Sequence, residues 1–269
     1  MDAVNDTRLM ARALQLARRG QYRAMPNPHV GCVLVRDGHV IGEGVTRPAG
    51  GNHAEIEALQ ATEDAVGATA YVTLEPCSHQ GRTGPCADAL IAAGVRRVVV
   101  ATLDPNPQVA GQGIEKLRAA GIEVEVGAGE QAARELNIGF FSRMTRGLPW
   151  VRMKTAASLD GMTALHNGVS QWITGPAARQ DGHHWRARAC AVLTGVGTVL
   201  QDNPLLNVRG VNTPRQPHLL LVDSRLQTPL NALLWDSSRH VVIYHAERDA
   251  TKEAALQGQG AELVYLPGA

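Results

Sequence analysis

The stretch from residue 68 to 127 constrains the fold most, because short β-branched runs alternate there with amphipathic segments that end in glycine. "ATAYVTLEP" reads as a strand, "CADALIAAG" as a short helix closed by Gly94, and "VRRVVVATLDPNP" as a strand leading into a Pro-Asn loop. "GIEKLRAAGIEVEVG" repeats the helix-glycine-strand pattern. Alternation of this kind predicts an α/β sandwich with functional loops at the carboxyl ends of its parallel strands. Upstream, Leu9, Ala13, Leu16 and Ala17 mark one face of an amphipathic helix, and "VGCVLVRDGHVIGEG" reads as a hairpin turning at "RDG". "HAEIEALQA" is helical and "EQAARELNIGFFSRM" is a closing helix. The first domain is expected to end near "MTRGLPW", giving domains at 1–147 and 148–269. The second also reads as α/β. "WVRMKTAASLDG" predicts a strand and loop, and "PAARQDGHHWRARA" a helix. "CAVLTGVGTVL", "PHLLLVDSRL" and "RHVVIYHAE" predict strands, and "ATKEAALQGQGAELVYLPGA" a final helix and strand.

Composition then narrows the classes of function. Of 269 residues, 44% are hydrophobic and 19% charged, which is globular. A formal net charge of +1 offers no basic field for a nucleic acid. No apolar run is long enough to span a membrane, and residues 1–20 lack the apolar core of a secretion signal, so a cytoplasmic location is expected. Four cysteines in a reducing compartment point to metal binding or chemistry rather than a disulfide. Cys32 and Cys190, in predicted strands, read as inert core thiols. His183 and His184, on a predicted helix with no grouped Cys or carboxylate, read as surface or core polar residues.

His53, Cys77 and Cys86 supply one imidazole and two thiolates, the count that leaves a catalytic zinc one open position. Each stands at or near the start of a predicted helix, where the positive end of the dipole favours thiolate. Glu55, two residues from His53, suits a proton shuttle better than an extra ligand. The bland alternative is a structural zinc site, or two buried cysteines with an unrelated histidine. H-x-E followed by P-C-x-x-C is the zinc deaminase signature. Here eight residues, "SHQGRTGP", separate the two cysteines instead of two.

That spacing resembles the pyrimidine deaminase of riboflavin biosynthesis, in which an inserted loop between the cysteines contributes to substrate binding. "HAEIEAL" and "TLEPCSHQGRTGPCADALIAAG", joined to "PNPHVGCVLV" and "DPNPQVAGQG", carry the resemblance in the first half. "KTAASLDG", "SQWIT", "ARQD" and "GVGTVLQDNPLLNVR" are similar to the reductase domain fused behind it in the bifunctional bacterial deaminase/reductase family. The resemblance spans essentially the whole chain. It implies a cytidine-deaminase-like three-layer α/β/α domain, followed by a dihydrofolate-reductase-like α/β domain. It also implies deamination of a phosphoribosyl aminopyrimidine and then reduction of its ribose with NADPH.

Carried over by matching positions, the resemblance implies Asn27, His79, Arg82, Asp104 and Asn106 as substrate contacts, with Arg82 at the phosphate. Thr46 stands seven residues before His53, where the family usually has His. In the second half, Ala156, Trp172, Thr198, Asp202 and Ser224 match dinucleotide contacts. Ser170, Arg186, Leu206 and Arg209 match substrate contacts, the two arginines being suited to phosphate. Met162 and Val169 replace a basic residue and a Glu that are usual there. The family's reductase continues by about another hundred residues, a length in keeping with an ordinary domain. The reductase domain is therefore expected to be incomplete at its C-terminus, and this chain is expected to deaminate without reducing. A zinc ion, NADPH, a small-molecule substrate and a homo-oligomer are expected, without nucleic acid or membrane partners. Competing readings are a deaminase acting on RNA or free nucleosides, which the 4% aromatic content disfavours, and a non-catalytic scaffold, which has no use for Glu55.

Overall fold

The computed structural model describes residues 3–79, 84–107, 109–236 and 238–267. The chain divides into two compact units, Met1–Arg152 and Met153–Ala269. The first unit runs α1 (Ala3–Arg19), β1 (Gly31–Arg36), β2 (His39–Val45), α2 (Ala54–Gln60), β3 (Thr69–Val72) and α3 (Cys86–Ala92). It continues through β4 (Arg97–Val100), α4 (Gln112–Ala119), β5 (Glu123–Val126), α5 (Glu130–Leu136) and α6 (Ile138–Arg146). The sheet order is β2-β1-β3-β4-β5. β1 is antiparallel to both neighbours, and β3, β4 and β5 are parallel. Asp37 and Gly38 close the predicted hairpin with φ of 52° and 77°, the double left-handed turn that matches strand twist.

Side chains alternate across this sheet. Cys32, Leu34, Ala70, Val72, Val98 and Val100 pack with Ala54, Ala58, Leu90 and Leu117 on one face. Val33, Val35, Tyr71 and Val99 meet Leu9, Met10, Ala13 and Leu16 of α1 on the other. Two faces covered by helices account for strands that are apolar throughout. Leu9, Ala13, Leu16 and Ala17, the predicted face of α1, are all buried. A bidentate pair seats that helix. Arg97 donates to both oxygens of Asp6 at 3.0 and 2.9 Å, and the Tyr71 hydroxyl donates to Asp6 Oδ1 at 2.6 Å.

The predicted closing helix is two helices broken at Asn137. Its amide is pulled aside: Oδ1 accepts from the His29 N–H at 2.7 Å, and Nδ2 donates to the His29 carbonyl at 3.0 Å.

The second unit runs α7 (Pro176–Arg188), β6 (Ala191–Gly195), α8 (Val196–Asp202), β7 (His218–Val222), β8 (Val241–His245), α9 (Ala250–Gly258) and β9 (Ala261–Tyr265). The strands are all parallel in the order β6-β7-β8-β9. Leu219, Leu221, Ile243 and Leu256 form its core with Val199. Three expectations fail here. "GVGTVL" was expected to continue a strand, but from Val196 onward it is helical: in a helix Val199 alone turns inward, to 2% exposure, and the neighbouring polar residues reach solvent. "WVRMKTAASLDG" forms no strand, its Val151 and Met153 being 77% and 85% exposed with no sheet edge paired to them among the described residues. Cys190 is exposed, not a core thiol: it stands just before β6, an edge strand that has no fully buried residue itself.

Candidate active site

The exits of β3 and β4 and the start of α2 meet in the first unit. His53 is the N-cap of α2, and Cys86 is the first residue of α3. Cys77 lies in the loop after β3, not at a helix start, yet its Sγ accepts the Cys86 N–H at 3.3 Å. His53 Nδ1 stands 3.2 Å from Cys86 Sγ and 3.6 Å from Cys77 Sγ. The three candidate ligand atoms all lie within 4.8 Å of one another. Among the described residues this is the one group of three or more His, Cys, Asp or Glu side chains that converges so. One imidazole and two thiols, without a carboxylate in the set, is a donor chemistry that fits zinc and suits magnesium or calcium poorly.

The four titratable groups here perturb one another strongly. The Cys86 Sγ–H and the Cys86 backbone N–H both point charge at Cys77, and with His53 they pull its thiol down to about 4 against the cost of burial. Cys86, as the donor of that pair and buried, is pushed up. His53 is raised, first by its bond to Cys77. Glu55, in the first turn of α2, is 3% exposed, and burial lifts its carboxyl to about 7.

Close backbone approach puts α2 there. A Cβ on Gly44 of β2 would stand 2.0 Å from the Ala54 carbonyl, so only glycine lets the start of α2 rest on the sheet.

Of the candidate substrate contacts, Asn27 is half-buried and His79 exposed, and Arg82 lies outside the described residues. Asp104 is buried beyond β4, with its Oδ1 accepting the Asn106 N–H at 2.8 Å. Burial raises the Asp104 carboxyl to about 6, with the charges of Glu75 and Cys77 adding to the effect. Thr46 is buried, and its hydroxyl accepts the Val30 N–H at 3.2 Å.

In the second unit, Thr198 and Asp202 share a face of α8, and Ser224 follows β7, all near the carboxyl ends of adjacent parallel strands. Arg186, Leu206 and Arg209 are brought together: Arg186 donates to the Asn207 carbonyl at 2.8 Å, and Arg209 to Asn207 Oδ1 at 2.5 Å. Ala156, Ser170 and Trp172 lie on the irregular segment before α7, and no hydrogen bond among the described residues joins them to that cluster. Trp172 is 71% exposed under the Arg179 guanidinium, 4.4 Å from its ring centre.

Glu75 and Asn137, which the sequence did not single out, and His183, read from it as a surface or core polar residue, belong to these constellations. Glu75 and Asn137 each bond the backbone of a candidate loop. His183 Nδ1 accepts the Arg209 N–H at 3.1 Å and faces Arg186 Nη1 at 3.2 Å, so that nitrogen is the unprotonated one. Burial, then the two arginines, lower its pKa. An acid inside the otherwise apolar "VTLEP" exit was the one available signal for Glu75.

A three-layer α/β/α unit with an imidazole, two thiols and a buried carboxylate at its strand exits defines the class of zinc-dependent deaminases. Residues 3–102 match the family model for the cytidine and deoxycytidylate deaminase zinc-binding region, and residues 149–266 that for the RibD C-terminal domain. The riboflavin biosynthesis protein RibD of Escherichia coli is 51% identical over 243 residues, covering 90% of this chain and 66% of that protein. That of Aquifex aeolicus is 47% identical over 98% of this chain and 74% of its own length. The solved Acinetobacter baumannii RibD, form 1, superposes with a TM-score of 0.91 at 47% identity, over 99% of this chain and 75% of that one. The Thermotoga maritima deaminase/reductase does so at 0.86 and 36% identity, over 96% and 80%. The chain belongs to the RibD family of riboflavin biosynthesis, with a zinc-binding deaminase domain and a reductase domain, whose cofactors are Zn²⁺ and NADPH. It spans about two thirds to four fifths of the length of these relatives.

Proposed function

We propose that the chain hydrolyses 2,5-diamino-6-(5-phosphoribosylamino)pyrimidin-4-one to 5-amino-6-(5-phosphoribosylamino)uracil and ammonia, and that the second unit belongs to the reductase that converts the ribosyl group of that product to ribityl with NADPH. The observation that carries the first reaction is the convergence of His53 Nδ1, Cys77 Sγ and Cys86 Sγ within 4.8 Å, beside the buried Glu55. Those three residues would hold the zinc, which supplies the Lewis acidity that activates water at neutral pH. Glu55 takes a proton from the attacking water and returns it to the departing amino nitrogen, so the amidine carbon exchanges nitrogen for oxygen and ammonia leaves. Asn27, Asp104 and Asn106 orient the pyrimidine, and Arg82 is assigned to its phosphate on the resemblance alone.

The second reaction is supported by the matched C-terminal domain and by the position of Thr198, Asp202 and Ser224 at parallel strand ends. The Arg186, Leu206 and Arg209 group is assigned to the substrate, its cationic cluster suiting a phosphate. A small-molecule substrate, a cytoplasmic location, homo-oligomeric assembly and the absence of nucleic-acid or membrane partners complete the reading. The near-neutral charge favours it, as does the lack, among the described residues, of a helix long and apolar enough to cross a membrane.

The test pairs zinc analysis with ammonia release from the phosphoribosyl aminopyrimidine, in the wild type and in Glu55→Gln. One zinc per chain in both proteins is expected, with ammonia release lower in the variant by roughly a hundredfold or more. A zinc-free wild type, or a variant that deaminates at near wild-type rate, refutes the assignment.

A further inference from the structure

Glu75 is 3% exposed, lies two residues before Cys77, and has no role in the chemistry described above. Its N–H donates to the Thr102 carbonyl at 3.0 Å, which keeps the exits of β3 and β4 side by side. Among the described residues, the hydrogen-bond donors to its carboxylate are all backbone N–H groups. Oε2 accepts from the N–H groups of Asp104 at 3.1 Å and Gly111 at 2.9 Å. Oε1 accepts from Gly113 at 3.0 Å and Ile114 at 3.4 Å. All four donors belong to the segment between β4 and the first turn of α4, the segment that carries Asp104 and Asn106. Charge-assisted bonds of this kind are the stronger sort, and each one ties the loop to the strand exit that bears Cys77.

A second contact locks the same joint. A Cβ on Gly113 would stand 2.0 Å from the carbonyl oxygen of Pro76, so α4 begins directly against the peptide preceding Cys77. Gly111, with φ of +87°, supplies the left-handed turn that aims its N–H at Glu75. Downstream of the clamp, Asp104 Oδ1 holds the Asn106 N–H at 2.8 Å. Glu75 thus fixes the backbone of Asp104 directly, and Asp104 in turn fixes that of Asn106, so both candidate contacts are tied to the zinc loop.

We propose that Glu75 is the positioning residue for substrate in the deaminase unit, setting the 104–114 loop in register with the metal-binding loop before substrate arrives. The inference rests on the reading of Asp104 and Asn106 as substrate contacts. A preordered loop binds without first being immobilised, so loosening it weakens substrate binding more than it slows the chemical step.

The experiment uses the zinc-loaded chain carrying Glu75→Gln, in which the amide NH₂ would confront two backbone N–H donors. Three readouts are taken: zinc per chain, amide hydrogen exchange, and the kcat and KM of ammonia release. Expected are one zinc per chain, exchange at Asp104, Gly111, Gly113 and Ile114 faster by roughly tenfold, and KM higher by roughly tenfold. kcat is expected to change by less than about threefold. Gly111→Ala, which strains the same joint away from Cys77, should reproduce this KM-led pattern and carries the test if Glu75→Gln does not fold. Loss of zinc from the variant, unchanged exchange in the loop, or faster exchange with unchanged KM overturns the inference. A wild type that binds zinc but releases no ammonia overturns instead the functional reading on which it rests, and the exchange data then still show whether the clamp exists.

Discussion

Replacing Gly44 by Ala changes neither charge nor polarity, yet the architecture predicts that it disables the deaminase unit. The added Cβ would stand 2.0 Å from the Ala54 carbonyl, 2.5 Å from the Ala58 nitrogen and 2.9 Å from the Glu57 Cβ. Two of these are helix backbone, which cannot swing aside as a side chain could. Restoring an ordinary contact of roughly 3.4 Å moves the start of α2 by about 1.4 Å, and His53 and Glu55 move with it. Overpacking of this kind costs about 1–3 kcal/mol, and up to about 1 kcal/mol returns from the stiffer unfolded chain. The net loss of up to about 3 kcal/mol lowers Tm by as much as roughly 10 °C for a unit of this size. Catalysis suffers more, since a displacement of about 1 Å at a reacting group can cost roughly a hundredfold. The assay compares thermal melting and ammonia release per bound zinc. Gly139→Ala is the control: Gly139 lies in α6 with nothing within 4 Å of an added Cβ, so that change should be neutral or raise Tm. If Gly44→Ala melts with the wild type and keeps its turnover per zinc within about threefold, close backbone approach does not set the site's geometry.

Two further outcomes follow from buried and exposed groups elsewhere. Hydrogen bonds from Arg97, then one from Tyr71, hold the Asp6 carboxyl below its ordinary 3.8, so its stabilisation is full above about pH 4 and is lost as pH falls through the depressed value. Asp6→Asn should therefore cost about 3 kcal/mol in urea melts near pH 6, with the gap to wild type narrowing below pH 4, and a gap constant with pH contradicts the pairing. With zinc bound, the exposed Cys190 should be the one thiol that reacts rapidly with a disulfide reagent, and chelation should add the half-buried Cys77; rapid reaction of three thiols in the zinc-loaded protein contradicts the ligand set.

What the sequence made legible was chemistry with few alternatives. One imidazole and two thiols beside an unneeded carboxylate suit little besides zinc, and the structure does bring His53, Cys77 and Cys86 together. The hairpin at Asp37 and Gly38 and the apolar face of α1 were legible because turn chemistry and helical period are local. The holders of the site were not. Asn137 meets the backbone of His29 across 108 residues, and Glu75 meets Gly113 across 38, with main-chain groups as partners that leave no trace in composition. "GVGTVL" misled because β-branched residues suit a strand equally well, whereas in the structure it opens a helix that buries only Val199. Cys190 misled because a cysteine beside an apolar run reads as core when it merely precedes the strand.

Thr46 shows how a departure from the family's pattern is absorbed. Its hydroxyl accepts from the Val30 N–H at 3.2 Å and donates to the Val30 carbonyl at 3.4 Å, and only 5% of the residue is exposed. The neighbouring His29 is held in the same manner by Asn137, through both its N–H and its carbonyl. The backbone following Asn27 is thus gripped from two sides, by a residue ahead of α2 and by one between α5 and α6. With its one donor and one of its two acceptor lone pairs spent on Val30, and the residue buried, the Thr46 hydroxyl serves to hold this backbone. Asn27, proposed above as a substrate contact, has its own N–H tied to Ala24 at 2.9 Å in a turn that leaves the residue half-buried. On the proposed function, a pyrimidine bound here would meet a backbone held in place beforehand, as it would on the side where Glu75 is proposed to act.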